Sequence, residues 1–163
     1  MPRGRALIVD KDGEFADRVR RCLRAARYAA EVADSRRTAL ERFTEIHPSI
    51  VFLAVEQPRR TGFALFSDVM RLDRHTPIVM VTSTIPMAEI LLHQKLRIHA
   101  DAYLDKAQLD ETAIFETLNR LLGLAGESLV ESRWLARFAE SLGRLKRLHF
   151  DVGGDLDRLR SSL

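Results

Sequence analysis

The most constraining stretch of the chain is the apolar run from Ile50 to Val55. Six apolar residues in a row predict a strand that is covered on both faces, because a half-buried strand would alternate with polar residues. Such strands belong to parallel sheets with helices packed on both sides. A polar turn with Pro58 and Gly62 follows, so the strand is expected to end in a loop at the carboxyl edge of the sheet.

Four further apolar segments alternate with segments of helical period. The predicted strands cover residues 6–9, 29–33, 50–55, 78–82 and 102–104, and the predicted helices cover residues 14–27, 35–46, 62–71, 87–96 and 110–122. Regular alternation predicts a parallel sheet with helices on both faces. Five such units indicate a flavodoxin-like (βα)5 fold of the α/β class, doubly wound, with strand order 2-1-3-4-5.

Composition sets limits on the class of protein. Apolar residues make up 46% of the 163 residues, and 26 basic residues nearly balance 23 acidic ones, so no nucleic-acid partner is expected. No apolar run is long enough to predict a membrane span. Cys22 is the single cysteine, which excludes a disulfide within the chain and favours a cytoplasmic location.

The chain is predicted to have three parts: a domain over residues 1–123, a linker over 124–128 and an amphipathic helical extension over 129–163. In the extension, apolar residues recur in steps of three and four and form a helical seam that includes Leu135, Phe138, Leu142 and Leu145. This pattern is compatible with a dimerising or partner-binding coiled coil and with a helix that folds back on its own domain.

Parallel strands end at one edge of the sheet, so the residues that follow them are expected to meet there. The group comprises residues 10–12, residues 54–56, Thr82 and Lys106. Ala54 holds the central position at the end of the third strand, and a methyl group cannot act as acid, base, nucleophile or ligand. No metal-ligand spacing and no glycine-rich phosphate loop appear in the chain.

Four segments, in this order and at these intervals, resemble the receiver domains of two-component response regulators, over residues 5 to 122. They are residues 7–10 (LIVD), the strand from Ile50 with Pro58 and Gly62, residues 77–82 (PIVMVT) and residues 100–106 (ADAYLDK). The resemblance implies an aspartate at the end of strand three that accepts a phosphoryl group from a histidine kinase. It also implies two acidic residues that help to bind Mg²⁺, a Thr or Ser and a Lys that contact the phosphoryl oxygens, and a switching aromatic residue.

The match to that pattern is partial. Ala54 falls on the phosphoacceptor, and Lys11 falls on the second acidic position beside Asp10. The retained switch positions are Thr82, Tyr103 and Lys106. Ala107 replaces the proline that usually follows the lysine in a cis bond, so a trans bond is expected there because a cis bond to alanine costs about 2.5–4 kcal/mol.

The pocket therefore has the residues of a degenerate acidic site: Asp10, Lys11, Asp12 and Glu56. With few carboxylates facing two lysines, and with no nucleophile, neither Mg²⁺ binding nor phosphorylation is expected. Two hypotheses explain the substitutions. In the first, Lys11 replaces the metal charge and Glu56 places a fixed carboxylate near Lys106, so the pocket imitates a filled one. In the second, the acidic residues were simply lost once they were unused.

The resulting expectation is a non-catalytic pseudo-receiver, without a cofactor, that binds protein partners of a bacterial signalling or polarity pathway. Dimerisation through its extension is one of the two uses of that segment that the pattern leaves open. Its expected interaction surface comprises the fourth helix, the fifth strand and the fifth helix, with these exposed candidates: Glu89, His93, Lys95, Arg97, Tyr103 and Asp105. Two alternatives remain open. One is a regulator phosphorylated on Asp12 or Glu56, and the other is a DNA-binding regulator that uses the extension.

Overall fold

A parallel five-stranded sheet forms the centre of the domain in a computed structural model, which describes residues 1–56 and 61–123. The strands are β1 (Gly4–Val9), β2 (Tyr28–Ala33), β3 (Ile50–Ala54), β4 (Ile78–Thr82) and β5 (Ala102–Asp105). Their order in the sheet is β2-β1-β3-β4-β5. This is the predicted flavodoxin-like topology, in which the crossover connections carry the helices.

Five helices connect and follow the strands: α1 (Gly13–Ala25), α2 (Arg36–Ile46), α3 (Thr61–Leu72), α4 (Met87–Gln94) and α5 (Glu111–Leu122). Side-chain hydrogen bonds fix where three of these helices begin. Asp12, Ser35 and Asp110 cap α1, α2 and α5 by accepting a hydrogen bond from a backbone N–H three residues later. Gly123 ends α5 in the left-handed conformation with φ of 64°. No helix within 1–56 and 61–123 is long and apolar enough to cross a membrane.

The core lies on both faces of the sheet. All five residues of β3 and all five of β4 are buried, which explains why both strands read as continuous apolar runs. Alternate strand residues, such as Val51, Leu53 and Met80, form one cluster with Phe43 of α2 and Leu65 of α3. On the other side of the sheet, α1 contacts both β1 and α5.

Gly62 fixes how closely α3 approaches the end of β3. A Cβ atom on this residue would lie 2.6 Å from the Ala54 carbonyl oxygen and 2.7 Å from the Val55 Cα. Only glycine allows this approach without a shift of the backbone. The first turn of α3 is therefore held against the strand that ends at the candidate site.

The predicted strand order and elements are confirmed, with boundaries that differ by at most two residues. The main differences are that α4 ends at Gln94 rather than at residue 96 and that β1 begins at Gly4. The Lys106–Ala107 peptide is trans, as predicted, because no cis bond occurs among the described residues. The linker at 124–128, the extension at 129–163 with its helical seam, and Pro58 lie outside the described residues.

Candidate functional site

The ends of four strands meet at the carboxyl edge of the sheet, as the sequence predicts. Strand register places Leu53 beside Val9, and Ala54 beside Val81. At the same edge, the last pair between β4 and β5 is Thr82 with Asp105. The residues that follow the ends of these strands, such as Asp10, Glu56 and Lys106, therefore lie close together at this edge of the sheet.

Lys106 is held between two carboxylates that follow β1. Its Nζ atom lies 2.6 Å from Asp10 Oδ2 and 3.2 Å from Asp12 Oδ2. The side chains of Lys106 and Asp10 are only 12% and 5% exposed, so this ion pair is shielded from water. The ammonium group also lies 4.7 Å from the centre of the Phe15 ring, which is a cation–π distance.

Backbone hydrogen bonds fix the two carboxylates. Asp10 Oδ1 accepts a bond from the Asp12 N–H at 2.9 Å, and Asp12 Oδ1 accepts one from the Phe15 N–H at 3.0 Å. The Phe15 amide, and then the Lys106 ammonium, lower the pKa of Asp12. Asp12 thus caps α1 and binds Lys106 with different oxygens, which leaves it little freedom to serve another ligand.

Glu56 follows β3 and binds the loop between β4 and α4 (residues 83–86, the β4–α4 loop). Its Oε1 atom accepts a hydrogen bond from the Thr82 hydroxyl and others from the Ser83 N–H at 2.6 Å and the Thr84 N–H at 3.1 Å. Burial raises the pKa of this carboxyl, but the bonds from Thr82, Thr84 and Ser83 outweigh burial, so the net pKa lies below the ordinary value.

Ala54 is the last residue of β3, and in the sequence it lies between the Asp10–Asp12 pair and Glu56. Its side chain is buried, with a residue exposure of 4%, and brings no oxygen to the site. Lys11 is exposed and forms no ion pair with any residue in 1–56 or 61–123. The arrangement differs from the imitation hypothesis at two points: Lys106, not Lys11, is the cation between the carboxylates, and Glu56 binds Thr82 and the β4–α4 loop.

The residues at this edge do not fit Mg²⁺. Mg²⁺ prefers octahedral coordination by oxygen, with one or two carboxylates and several waters. Here Asp10 Oδ1 and both Asp12 oxygens accept hydrogen bonds, and the buried Asp10 Oδ2, which accepts none, faces the Lys106 ammonium at 2.6 Å. That ammonium would repel a divalent ion. Nowhere in the described ranges do three His, Cys, Asp or Glu residues converge as metal ligands would.

Tyr103 of β5 is half-buried, and its hydroxyl is held from two sides. It accepts a hydrogen bond from the Ala100 N–H at 3.0 Å and lies 2.9 Å from His93 Nδ1. Burial raises the pKa of Tyr103. The His93 ring in turn packs on the rings of Phe63 and Phe66, at centroid distances of 5.4 and 4.9 Å.

The prediction of an exposed surface is therefore wrong for three of its six residues. His93 and Tyr103 are partly buried because they bond to each other and to the α3 aromatics, and burial followed by the charge of His99 lowers the pKa of His93. Asp105 is also partly buried, and its Oδ1 accepts the Ala107 N–H at 2.9 Å. Glu89, Lys95 and Arg97 are exposed, as predicted.

Two partnerships were not predicted from the sequence: the bonding of Glu56 to the Ser83 and Thr84 amides, and that of His93 to Tyr103. The first could have been found from position, because residues 82–84 (TST) directly follow β4 at the edge where Glu56 lies. The second joins residues ten positions apart on α4 and β5, and no periodicity marks it.

Comparisons with known proteins agree with this fold. Residues 6–119 match the response regulator receiver domain family. The chain is 31% identical over 83 residues to the regulatory protein AtoC of Escherichia coli (strain K12), a match that covers 48% of this chain and 17% of AtoC. The chain therefore spans far less than the full length of this curated relative.

Solved receiver structures superpose on most of the chain. A CheY-like response regulator receiver domain protein of Methanospirillum hungatei JF-1 is 22% identical, with a TM-score of 0.64, and the match covers 76% of this chain and 98% of that one. The chemotaxis response regulator CheY4 of Vibrio cholerae is 24% identical, with a TM-score of 0.63 and coverage of 72% and 98%. At these identities, the similarity shows a shared fold.

Proposed function

The chain belongs to the response regulator receiver domain family, and from this premise we propose that it is a pseudo-receiver. In this proposal it is a signalling module of the two-component type that acts without phosphorylation, through contacts with other proteins. It catalyses no reaction, and its partners belong to a bacterial signalling or polarity pathway.

The observation that carries the proposal is the methyl group of Ala54 at the end of β3. Phosphoryl transfer to a receiver requires a nucleophilic carboxylate and a cation that neutralises the developing charge. Ala54 is buried and provides no nucleophile. The nearby carboxylates of Asp10 and Asp12 already bind Lys106, so the cation-binding part of the site is also engaged.

Glu56 supports the proposal in a second way. In the family, a Thr after strand four contacts phosphoryl oxygens, and here the Thr82 hydroxyl and the Ser83 amide donate to the Glu56 carboxylate. A carboxylate of this chain thus provides the negative oxygen that these donors require. The hydrogen bonds that link the β4–α4 loop to Glu56 come from groups of the chain itself, which suits a partner-binding module that needs no phosphoryl signal.

The surfaces proposed for partner binding are the exposed part of α4 and its following segment, with Glu89, Lys95 and Arg97, and the extension at residues 129–163. The extension is proposed to dimerise or to bind a partner through its heptad seam, on the evidence of the sequence pattern alone.

Incubation with acetyl phosphate and Mg²⁺, followed by intact mass spectrometry, tests the proposal. The wild-type chain is expected to gain no phosphoryl group. The double variant Lys11→Asp/Ala54→Asp, which supplies the missing carboxylates, is the positive control and is expected to gain one. A phosphoryl group on wild-type Asp12 or Glu56, located by peptide mapping, would contradict the proposal and support a phosphorylated regulator with a displaced acceptor.

A further inference from the structure

A groove of about 490 Å³ lies between α3 and the segment that includes and follows the end of α4. Phe63, Phe66 and Met70 line it on the α3 side, together with the partly buried ring of His93. Leu96 and Ile98 line the opposite side. This α3–α4 groove is separate from the carboxyl-edge site, since it contains none of the residues that bind Lys106 or Glu56.

Exposed large apolar side chains are concentrated in α4 and in the segment that follows it. Six large apolar residues among those described are exposed, and four of them fall within residues 91–98. Leu96 and Ile98, which border the groove, are 55% and 50% exposed. Clustered exposed apolar residues of this kind mark protein interaction sites, whereas single ones are normal.

The groove follows one stripe of α3. Phe63, Phe66 and Met70 succeed each other in steps of three and four residues, Arg71 follows in the last turn of α3, and Arg74 lies just beyond the end of the helix at Leu72. Phe63 and Met70 are seven residues apart, which at the helical rise corresponds to about 10 Å. This length matches roughly two turns of a second helix laid along α3, with apolar anchors three and four residues apart.

The polar part of the groove is basic. Arg71 is 78% exposed, and its partner Asp68, at 3.7 Å, already binds Arg36 at 2.5 Å. Arg74 is exposed and forms no ion pair with any residue in the described part of the chain. Among the residues that the structure describes, no Asp or Glu lines the groove. Arg71 and Arg74 therefore lack full charge compensation, and an acidic partner would provide it.

We propose that the α3–α4 groove binds an amphipathic helix of a partner protein, with two or three Leu-like side chains in the groove and carboxylates beside Arg71 and Arg74. The proposal rests on the proposed function only in assuming a protein partner. The pseudo-receiver proposal and the groove proposal can be refuted independently. Peptide binding to the groove does not involve Ala54, and phosphoryl uptake does not involve the groove.

Fluorescence anisotropy with designed peptides tests the proposal on the full-length chain. The first probe is a labelled helical peptide with leucines at i, i+4 and i+7 and glutamates beside them. The second has lysines in place of the glutamates, and the third carries a central proline that breaks the helix. We expect the glutamate peptide to bind at least about tenfold more tightly than either of the others.

Two pairs of variants locate the binding. Leu96→Ser is expected to weaken binding of the glutamate peptide about tenfold, whereas Leu72→Ser is the matched control, because Leu72 is 56% exposed, similar to Leu96 at 55%, and does not line the groove. Arg71→Glu/Arg74→Glu is expected to reverse the preference toward the lysine peptide, and Arg24→Glu/Arg27→Glu is its control on another surface.

All these residues are exposed, so each variant is expected to melt like the wild type, which circular dichroism would verify. Equal binding of the three peptides, or unchanged binding by Leu96→Ser, would overturn the proposal. The proposal would also be overturned if no peptide bound and sedimentation detected a dimer that Leu96→Ser dissociates. The occupant of the groove would then be a second copy of the chain.

Discussion

Replacement of Glu56 by alanine tests whether this carboxylate fixes the β4–α4 loop. The substitution removes the acceptor of three close hydrogen bonds, from the Thr82 hydroxyl and the Ser83 and Thr84 amides. The three contributions do not simply add. Ser83 and Thr84 are exposed, so water replaces Glu56 there, and the Thr82 hydroxyl lies 3.1 Å from the Ile85 carbonyl oxygen, which can accept its proton.

The expected loss is therefore that of roughly one charge-assisted hydrogen bond, about 2 kcal/mol in the free energy of unfolding. For a domain of this size the melting temperature should fall by roughly 8 °C. Glu56→Gln is the matched control, because its amide oxygen keeps the acceptor and loses only the charge. It should cost about 1 kcal/mol at pH 7, since a neutral hydrogen bond is about half as strong.

The pH dependence gives an independent check on the same residue. The pKa of Glu56 is lower in the folded chain than its ordinary value of 4.5. A lowered folded-state pKa contributes stability that is present above the unfolded value and is lost as the pH falls through the folded value. The advantage of the wild type over Glu56→Gln should therefore shrink as the pH falls below 4.5.

Urea unfolding followed by circular dichroism, at pH 7 and at several acidic values, measures both effects, and two-dimensional amide spectra report whether Ser83, Thr84 and Tyr103 move. Two results would refute the reasoning: a Glu56→Ala chain within about 0.5 kcal/mol of the wild type, or a difference between wild type and Glu56→Gln that does not change with pH. Displaced Ser83 and Thr84 amide signals together with the expected loss would support it.

The remaining predictions concern Lys106, the glycines at positions 62 and 13, and Cys22. Lys106→Met leaves the buried Asp10 carboxylate without its cation and should destabilise the chain by about 3–5 kcal/mol in urea unfolding at pH 7; a loss below about 1 kcal/mol would mean that the pair is solvated. Gly62→Ala should cost about 1–3 kcal/mol by overpacking against β3. Gly13→Ala, with open space around its Cβ, should be neutral or stabilising, and equal effects at both glycines in thermal melts would contradict the close approach. Burial raises the pKa of the Cys22 thiol to about 12, so Cys22 should resist a thiol reagent at pH 8 until urea unfolds the chain, and rapid labelling of the native chain would refute this.

The sequence predicted the fold because each local signal agreed with the next. The apolar runs of β3 and β4 indicated strands covered on both faces, Ser35 and Asp110 marked helix starts, and the regular alternation left one topology. The sequence also placed Asp10, Ala54, Thr82 and Lys106 at one edge, because parallel strands end together. That Ala54 brings no nucleophilic group to this edge needed no coordinates, since it follows from residue type and strand position.

Tertiary structure alone decided which charges pair at that edge. Lys106 binds Asp10 and Asp12, while Glu56 binds the β4–α4 loop, because loop conformation and side-chain reach select among partners that the sequence merely places nearby. In the same way, the fold turned His93 inward onto Tyr103 and left Leu96 outside. A sequence pattern records which residues face a core, but pairing depends on distances of a few ångströms between segments far apart in the chain, and those distances exist only after folding.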